Sequence, residues 1–179
     1  HTLLEKKKPI LFIDRLVPNS IADCVVNDNL GAMYKSVKHL YERGHKKIAL
    51  ITGKKGITVV HDKIAGFRNA LASFGLTVCE DFIRIGDWDQ NTGKSETAAL
   101  LDMEAPPTAI IACNNFICEG AVEEIERRRL KIGEDISLIG TEESDSDERL
   151  FKRLGITTLR LDSKGLGVYA GKYILDRLK

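Results

Sequence analysis

Six short apolar runs punctuate the chain, at residues 10–13, 48–51, 82–85, 109–112, 136–139 and 156–161. Their apolarity is continuous rather than alternating, which predicts strands covered on both faces, as in a parallel sheet. Between the runs the spacing becomes helical. Leu30, Met33, Val37, Leu40 and Tyr41 share one helical face, and Gly44 can supply the left-handed residue that ends the helix, with Arg43 and His45 at its negative end. Ile64, Phe67, Ala70, Leu71 and Phe74 form a second stripe that stops at Gly75. Asn91 or Thr92 is placed to cap a third helix through Leu101, Asn115 a fourth from about Ile117 to Arg129, and Ser163 a fifth toward Leu178.

Strands alternating with helices over short connections predict an α/β fold, an open sheet with helices on both faces. The rhythm breaks between Arg15 and Asn27. There "RLVPNSIADCVVN" offers a turn at Pro18 and Asn19 and a short apolar segment where no helix fits, as a crossover between two lobes would.

Open α/β sheets bind ligands beyond the carboxyl ends of their strands, where loops splay and helix amino termini face the opening. The polar residues that follow the apolar runs are Asp14 and Arg15, a glycine-rich loop leading to Lys63, Asp87 with Trp88 and Asp89, Asn114 with Asn115, and Glu142 with Glu143. Carboxylates, amides and cations pair with vicinal hydroxyls, and a tryptophan offers a sugar ring an apolar face. Equipment for catalysis is missing: there is no Ser/His/Asp order at strand ends and no H-E-x-x-H. The Gly53 to Gly56 spacing of "TGKKG" is too short for a phosphate loop. The chain therefore reads as a binder of polar small molecules and not as an enzyme.

Composition narrows the partners. The 27 basic and 26 acidic residues nearly cancel, so the chain carries no overall electrostatic footprint for nucleic acid or an anionic membrane. No apolar run approaches the ~18 residues needed to span a bilayer, and "HTLLEKKKPI" lacks the apolar centre of a secretory signal, so a soluble, cytoplasmic protein is expected. Cys24, Cys79, Cys113 and Cys118 form no C-x-x-C pair, which argues against zinc and a disulfide scaffold. Neither a metal nor another cofactor is implied. The arginines of "ERRRLK", residues 126–131, read as a solvated helix terminus, and His45 as a helix-end contact. A strand pattern starting almost at residue 1, and a helical pattern still running at residue 179, read as a fragment of a longer chain.

"PILFIDR", "VVNDNLGAMYKSVKHLYERGHKKIALITG", "KIAGFRNAL", "IGDWDQNTG", "PPTAIIACNNFICEGAVEEI", "EDISLIGTEE" and "GITTLRLDSKGLGVYAGKYIL" occur in one order and spacing over about nine tenths of the chain. In this they resemble the effector-binding region of the LacI/GalR family of sugar-responsive bacterial repressors. The resemblance implies a periplasmic-binding-protein-like pair of parallel-sheet lobes with helices on both faces. Residues 1–25 and 160–179 would belong to an incomplete amino-terminal lobe and residues 26–159 to the carboxyl-terminal lobe, with the DNA-binding headpiece absent. A sugar or sugar acid would be the effector, operator DNA would be bound through the missing headpiece, and a homodimer is expected.

By the same resemblance Asp14 matches a cleft aspartate and Trp88 a stacking tryptophan. Asn114 matches a cleft asparagine, with Asn115 left as the helix cap, and Arg15 could contact the effector or pair with an acid across the cleft. Lys63 replaces a customary arginine, and Glu142 replaces an aspartate one methylene shorter. Asp145, Asp147 and Glu148 would then form the solvated rim of a surface loop, since the run "IGTEESDSDE" lacks the glycine and downstream glutamate of an EF-hand. Arg15 and Lys63 beside a polyol site suggest an anionic effector. A periplasmic-type sugar-binding protein serving transport is the alternative, and a sugar kinase or isomerase a third reading.

Overall fold

The computed structural model describes residues 9–17, 19–142 and 145–178; the side chains at 145–147 and 150 lie outside that description, as do the expected turn residue Pro18 and Glu143. Two parallel sheets organise the chain. The smaller pairs β1 (Leu11–Ile13) with β2 (Asp23–Val25). The larger holds β3 (Ile48–Thr52), β4 (Ile83–Ile85), β5 (Ala109–Ala112), β6 (Ser137–Glu142) and β7 (Thr157–Arg160), in the order β4-β3-β5-β6-β7. Among the described residues six α-helices accompany them: α1 (Asn29–Glu42), α2 (Thr58–Ser73), α3 (Gln90–Leu101), α4 (Asn115–Arg127), α5 (Asp145–Arg153) and α6 (Ser163–Arg177).

The two-residue period of a strand explains why β3 is apolar from Ile48 to Ile51 and buried at every position. Ile48 and Leu50 face α1 and α2, packing with Met33, Val37, Leu40, Phe67 and Leu71. Ala49 and Ile51 face the other way, toward Leu100, Ile117, Ala121, Ile125 and Phe151. β5 divides likewise, with Ala109 and Ile111 on the first face and Ile110 and Ala112 on the second. Each face is a separate core.

Several expectations are revised in detail. Leu30 and Tyr41 lie at the exposed margin of α1, and Tyr41 stacks on Phe74 with ring centroids 4.7 Å apart. Asp89 caps α3 by accepting from the Thr92 amide at 2.8 Å, so neither Asn91 nor Thr92 is the cap. Asp162 caps α6 through the Gly165 amide at 2.8 Å, ahead of Ser163. The interruption at 15–27 contains strand β2, and the acidic run after β6 forms the first turns of α5, where the positive end of the helix dipole favours acids. His45 does sit at a helix end, donating its amide to the Leu40 carbonyl at 3.1 Å, with its ring nitrogen Nδ1 2.9 Å from Thr108 Oγ1.

Helices α3 and α4 cross so closely that side chains are excluded. A Cβ on Gly93 would overlap the Ile117 carbonyl oxygen, and one on Gly120 that of Gln90. Across the same helix pair lies an ion cluster. Glu124, 2% exposed, accepts from Arg127 Nε and Nη2 and from Arg128 Nε, each at 2.7 Å. Arg128 also reaches Asp102 at 2.7 Å. Two of the arginines expected to be solvated thus clamp a buried carboxylate.

The hydrogen bonds from Arg127, with those of Arg128, outweigh burial and hold the Glu124 carboxyl down at about 2. A depressed carboxyl stabilises the fold fully above its unfolded value and loses that contribution as pH falls through the folded one. Glu124→Gln should therefore be less stable than the native chain at pH 7, with the difference shrinking between about pH 4.5 and pH 2 in urea melts. Gly120→Ala should cost about 1–3 kcal/mol by overpacking. Gly167→Ala, on α6 with nothing within 4 Å of its Cβ, should gain about 0.4–1 kcal/mol in the same assay.

Candidate functional site

The strands of the large sheet run parallel and helices follow them, so helix amino termini gather at the carboxyl edge, and a cavity of about 520 Å³ opens there. Asp14 and Arg15 enter it from the end of β1, Asn29 from the start of α1, and Lys63 from α2. Trp88 comes from the loop before α3 and Asn114 from the end of β5. Five of the six residues singled out in the sequence therefore meet in one place. Glu142 is not among the lining residues.

Asp14 has a left-handed backbone, φ 58°, which is uncommon for a residue with a Cβ. The ends of the two small-sheet strands hold it there. Its amide donates to the Val25 carbonyl at 2.8 Å, and its carboxylate accepts from Asn27 Nδ2 at 3.1 Å. Two residues on, the Leu16 amide donates to Thr58 Oγ1 at 3.2 Å, tying the segment after β1 to the first turn of α2.

Lys63 lies in the second turn of α2 and is 4% exposed. Its ammonium donates to the Cys113 carbonyl at 2.9 Å and lies over the Trp88 ring, 5.5 Å from the centroid. Burying an ammonium costs several kcal/mol after relaxation. A bond from a charged donor returns about 1.5–3 kcal/mol and a desolvated cation–π contact about 2 kcal/mol. Those two contacts offset most of the cost without a counter-charge. The neighbouring thiol supplies none, because burial pushes Cys113 up and keeps it neutral, against the opposing pull of Lys63.

Trp88 is wedged against the end of β3. A Cβ on Gly53 would overlap the indole, so glycine is needed there to admit the ring. Its carbonyl accepts from Asn114 Nδ2 at 3.4 Å, while Asn114 Oδ1 accepts from the Ile117 amide at 2.8 Å. Asn114 is therefore the cap of α4 as well as a lining residue, and the expected division between Asn114 and Asn115 is corrected: α4 begins at Asn115.

Glu142, 5% exposed, takes a hydrogen bond from Thr158 Oγ1 at 3.0 Å and pairs with Arg160 Nη1 at 3.2 Å. Arg160 also reaches Glu148 on α5 at 3.2 Å, so this acid is exposed, as expected of the rim, and ion-paired there. The sequence reading missed Asn29, which is buried and donates to the Asn27 carbonyl at 3.2 Å. It follows the interruption instead of an apolar run, so the strand-end rule passes over it. Among the described residues no cluster of three or more His, Cys, Asp or Glu could hold a metal ion. No helix among them is long and apolar enough to cross a membrane.

A family model described as the periplasmic binding protein-like domain matches residues 37–179. The chain belongs to that family. Its relatives include the transcriptional repressor CytR of Escherichia coli (strain K12), 30% identical over 96% of this chain and 50% of CytR. The probable transcriptional regulator EndR of Paenibacillus polymyxa is 33% identical over 99% of this chain and 52% of EndR. The chain spans about half the length of these relatives. Among solved structures, a LacI-family regulatory protein from Chloroflexus aggregans superposes with a TM-score of 0.88 at 26% identity, covering 97% of this chain and 62% of that one. A LacI-family regulator from Enterococcus faecium with bound ribose gives 0.84 at 27% identity, covering 98% and 64%. The α/β, periplasmic-binding-protein-like fold expected from the sequence stands, and the relatives are transcriptional regulators, not enzymes.

Asp14→Gly relieves the left-handed strain and loses one exposed hydrogen bond, two effects of about 1 kcal/mol each and opposite sign. Its unfolding free energy in urea should stay within about 1 kcal/mol of the native value.

Proposed function

We propose that this chain is the effector-sensing part of a bacterial DNA-binding regulator of the LacI type, binding a small sugar or sugar acid in the cavity at the carboxyl edge of the large sheet. What carries the reading is the convergence of Asp14, Arg15, Lys63, Trp88 and Asn114, far apart in sequence, on that one cavity. Asp14 would accept from effector hydroxyls, Asn114 would offer its amide, Trp88 a ring face, and Lys63 and Arg15 positive charge.

β1, β2 and α6, which packs on β1, would form part of a second lobe, comprising residues 1–25 and 160–179, with residues 26–159 as the first. Ile21, Val168, Tyr169 and Leu175 are exposed on that smaller body, apolar surface that further chain of the same lobe would cover. An effector touching both lobes would favour one arrangement over the other, by about 1.4 kcal/mol for each tenfold difference in affinity. In a cytoplasmic homodimer, that bias would alter the grip of a headpiece on operator DNA.

The test uses the full-length protein and a panel of monosaccharides and sugar acids. A cognate ligand at about 100 times its dissociation constant should add about 2.7 kcal/mol of stability. It should also change an emission signal that Trp88→Phe removes, and shift the mobility of an operator fragment. If no member of the panel alters stability or DNA binding, the reading is wrong.

A further inference from the structure

The geometry points to an acid as the occupant of this cavity: a hydroxylated carboxylate whose charge is held by Lys63 and Arg15. This deepens the effector-binding reading above and rests on it. The lining carries two cations, Arg15 and Lys63, against one carboxylate, Asp14. Asp14 accepts from the neutral Asn27 amide through one oxygen, Oδ1, and so counts once against the two cations. Lys63 is nine-tenths buried and lines the cavity, and its contacts among the described residues are a neutral carbonyl and an aromatic face. Neither group brings negative charge. One positive charge is therefore in excess at the centre of a polar cavity, and a charge so placed favours an anionic partner over a neutral polyol.

The surrounding backbone adds to the same field. Ile57 and Val59, at the amino end of α2, line the cavity, and that helix starts without a side-chain cap. The amino end of α4 arrives there too, through Asn114, whereas the start of α1 is already met by the Asp28 carboxylate, which accepts from the Gly31 amide. α2 and α4 each present the positive end of a helix dipole. The excess of a single charge matches one carboxylate, whereas a phosphate monoester would bring about two negative charges. Asp14 and Asn114 remain available for hydroxyl groups, so the ligand is a sugar acid and not a simple fatty or keto acid. Trp88, with Lys63 against it, can cover the ring or chain carbons.

The experiment titrates the full-length protein with aldonic and uronic acids of the common hexoses, their neutral parent sugars, and the corresponding sugar 6-phosphates. Binding is read by unfolding and calorimetry. An acid should bind more tightly than its parent sugar. Lys63→Gln and Arg15→Gln should each weaken the acid by about 10- to 100-fold and the parent sugar by a smaller factor, while Lys63→Arg, which keeps the charge, should weaken the acid less than Lys63→Gln. Arg15 is exposed, so its variant tests the charge even where Lys63→Gln lowers the folding stability. A neutral sugar bound as tightly as its acid, and indifferent to both substitutions, overturns this inference and leaves the effector reading standing. A preference for the 6-phosphate over the carboxylate overturns it too. No response to any compound in the panel overturns both.

Discussion

A parallel sheet cannot turn back on itself through a tight hairpin, and the rest of the molecule follows from that constraint. Each of β3, β4, β5, β6 and β7 must be reached by a crossover, and each crossover carries a helix. The helices cover both faces, which is why β3 is buried at every position and why the two cores share the strands between them. The same crossovers bring helix starts and strand ends to one edge. The cavity is a by-product of how the sheet is wound, before any lining side chain is chosen.

What the winding leaves open, the side chains decide. Lys63 sits among groups that soften the cost of its burial without neutralising it, and Asp14 is held in a backbone conformation that the pairing of β1 with β2 imposes. Both residues are less comfortable than the fold requires. Strain and uncompensated charge of this sort concentrate where a protein meets something other than itself. The Glu124 cluster is the contrast: there every charge has a partner, and the arrangement serves packing alone.

β3 and β5 were legible because burial on both faces leaves little room for polar residues, and a nearly unbroken apolar run is a strong signal. β2 was not, since its three residues, Asp23 to Val25, are only half buried and include one acid. α5 was hidden by its own acids, which suit a helix start as well as a loop. The caps were misplaced by one to three residues because Asp89, Asn91 and Thr92, or Asn114 and Asn115, are all capable of the role, and only the geometry chooses among them. Of the site, the positions at strand ends could be read in advance. The burial of Lys63 could not, since nothing local separates a lysine lying under a tryptophan from one in water. The pairing of Glu142 with Arg160 also depends on β6 and β7 being neighbours, which sequence order alone does not state.

Gly53 extends this point to the shape of the cavity. The indole of Trp88 occupies the space that a side chain at residue 53 would need, so the volume open to a guest is partly determined by a hydrogen atom on β3's trailing loop. A single added methyl there would force the ring to swing away, with the lysine resting on it. The bore of the cavity is thus adjustable from a residue that touches no guest, and related chains could part company in diet without altering one contact atom.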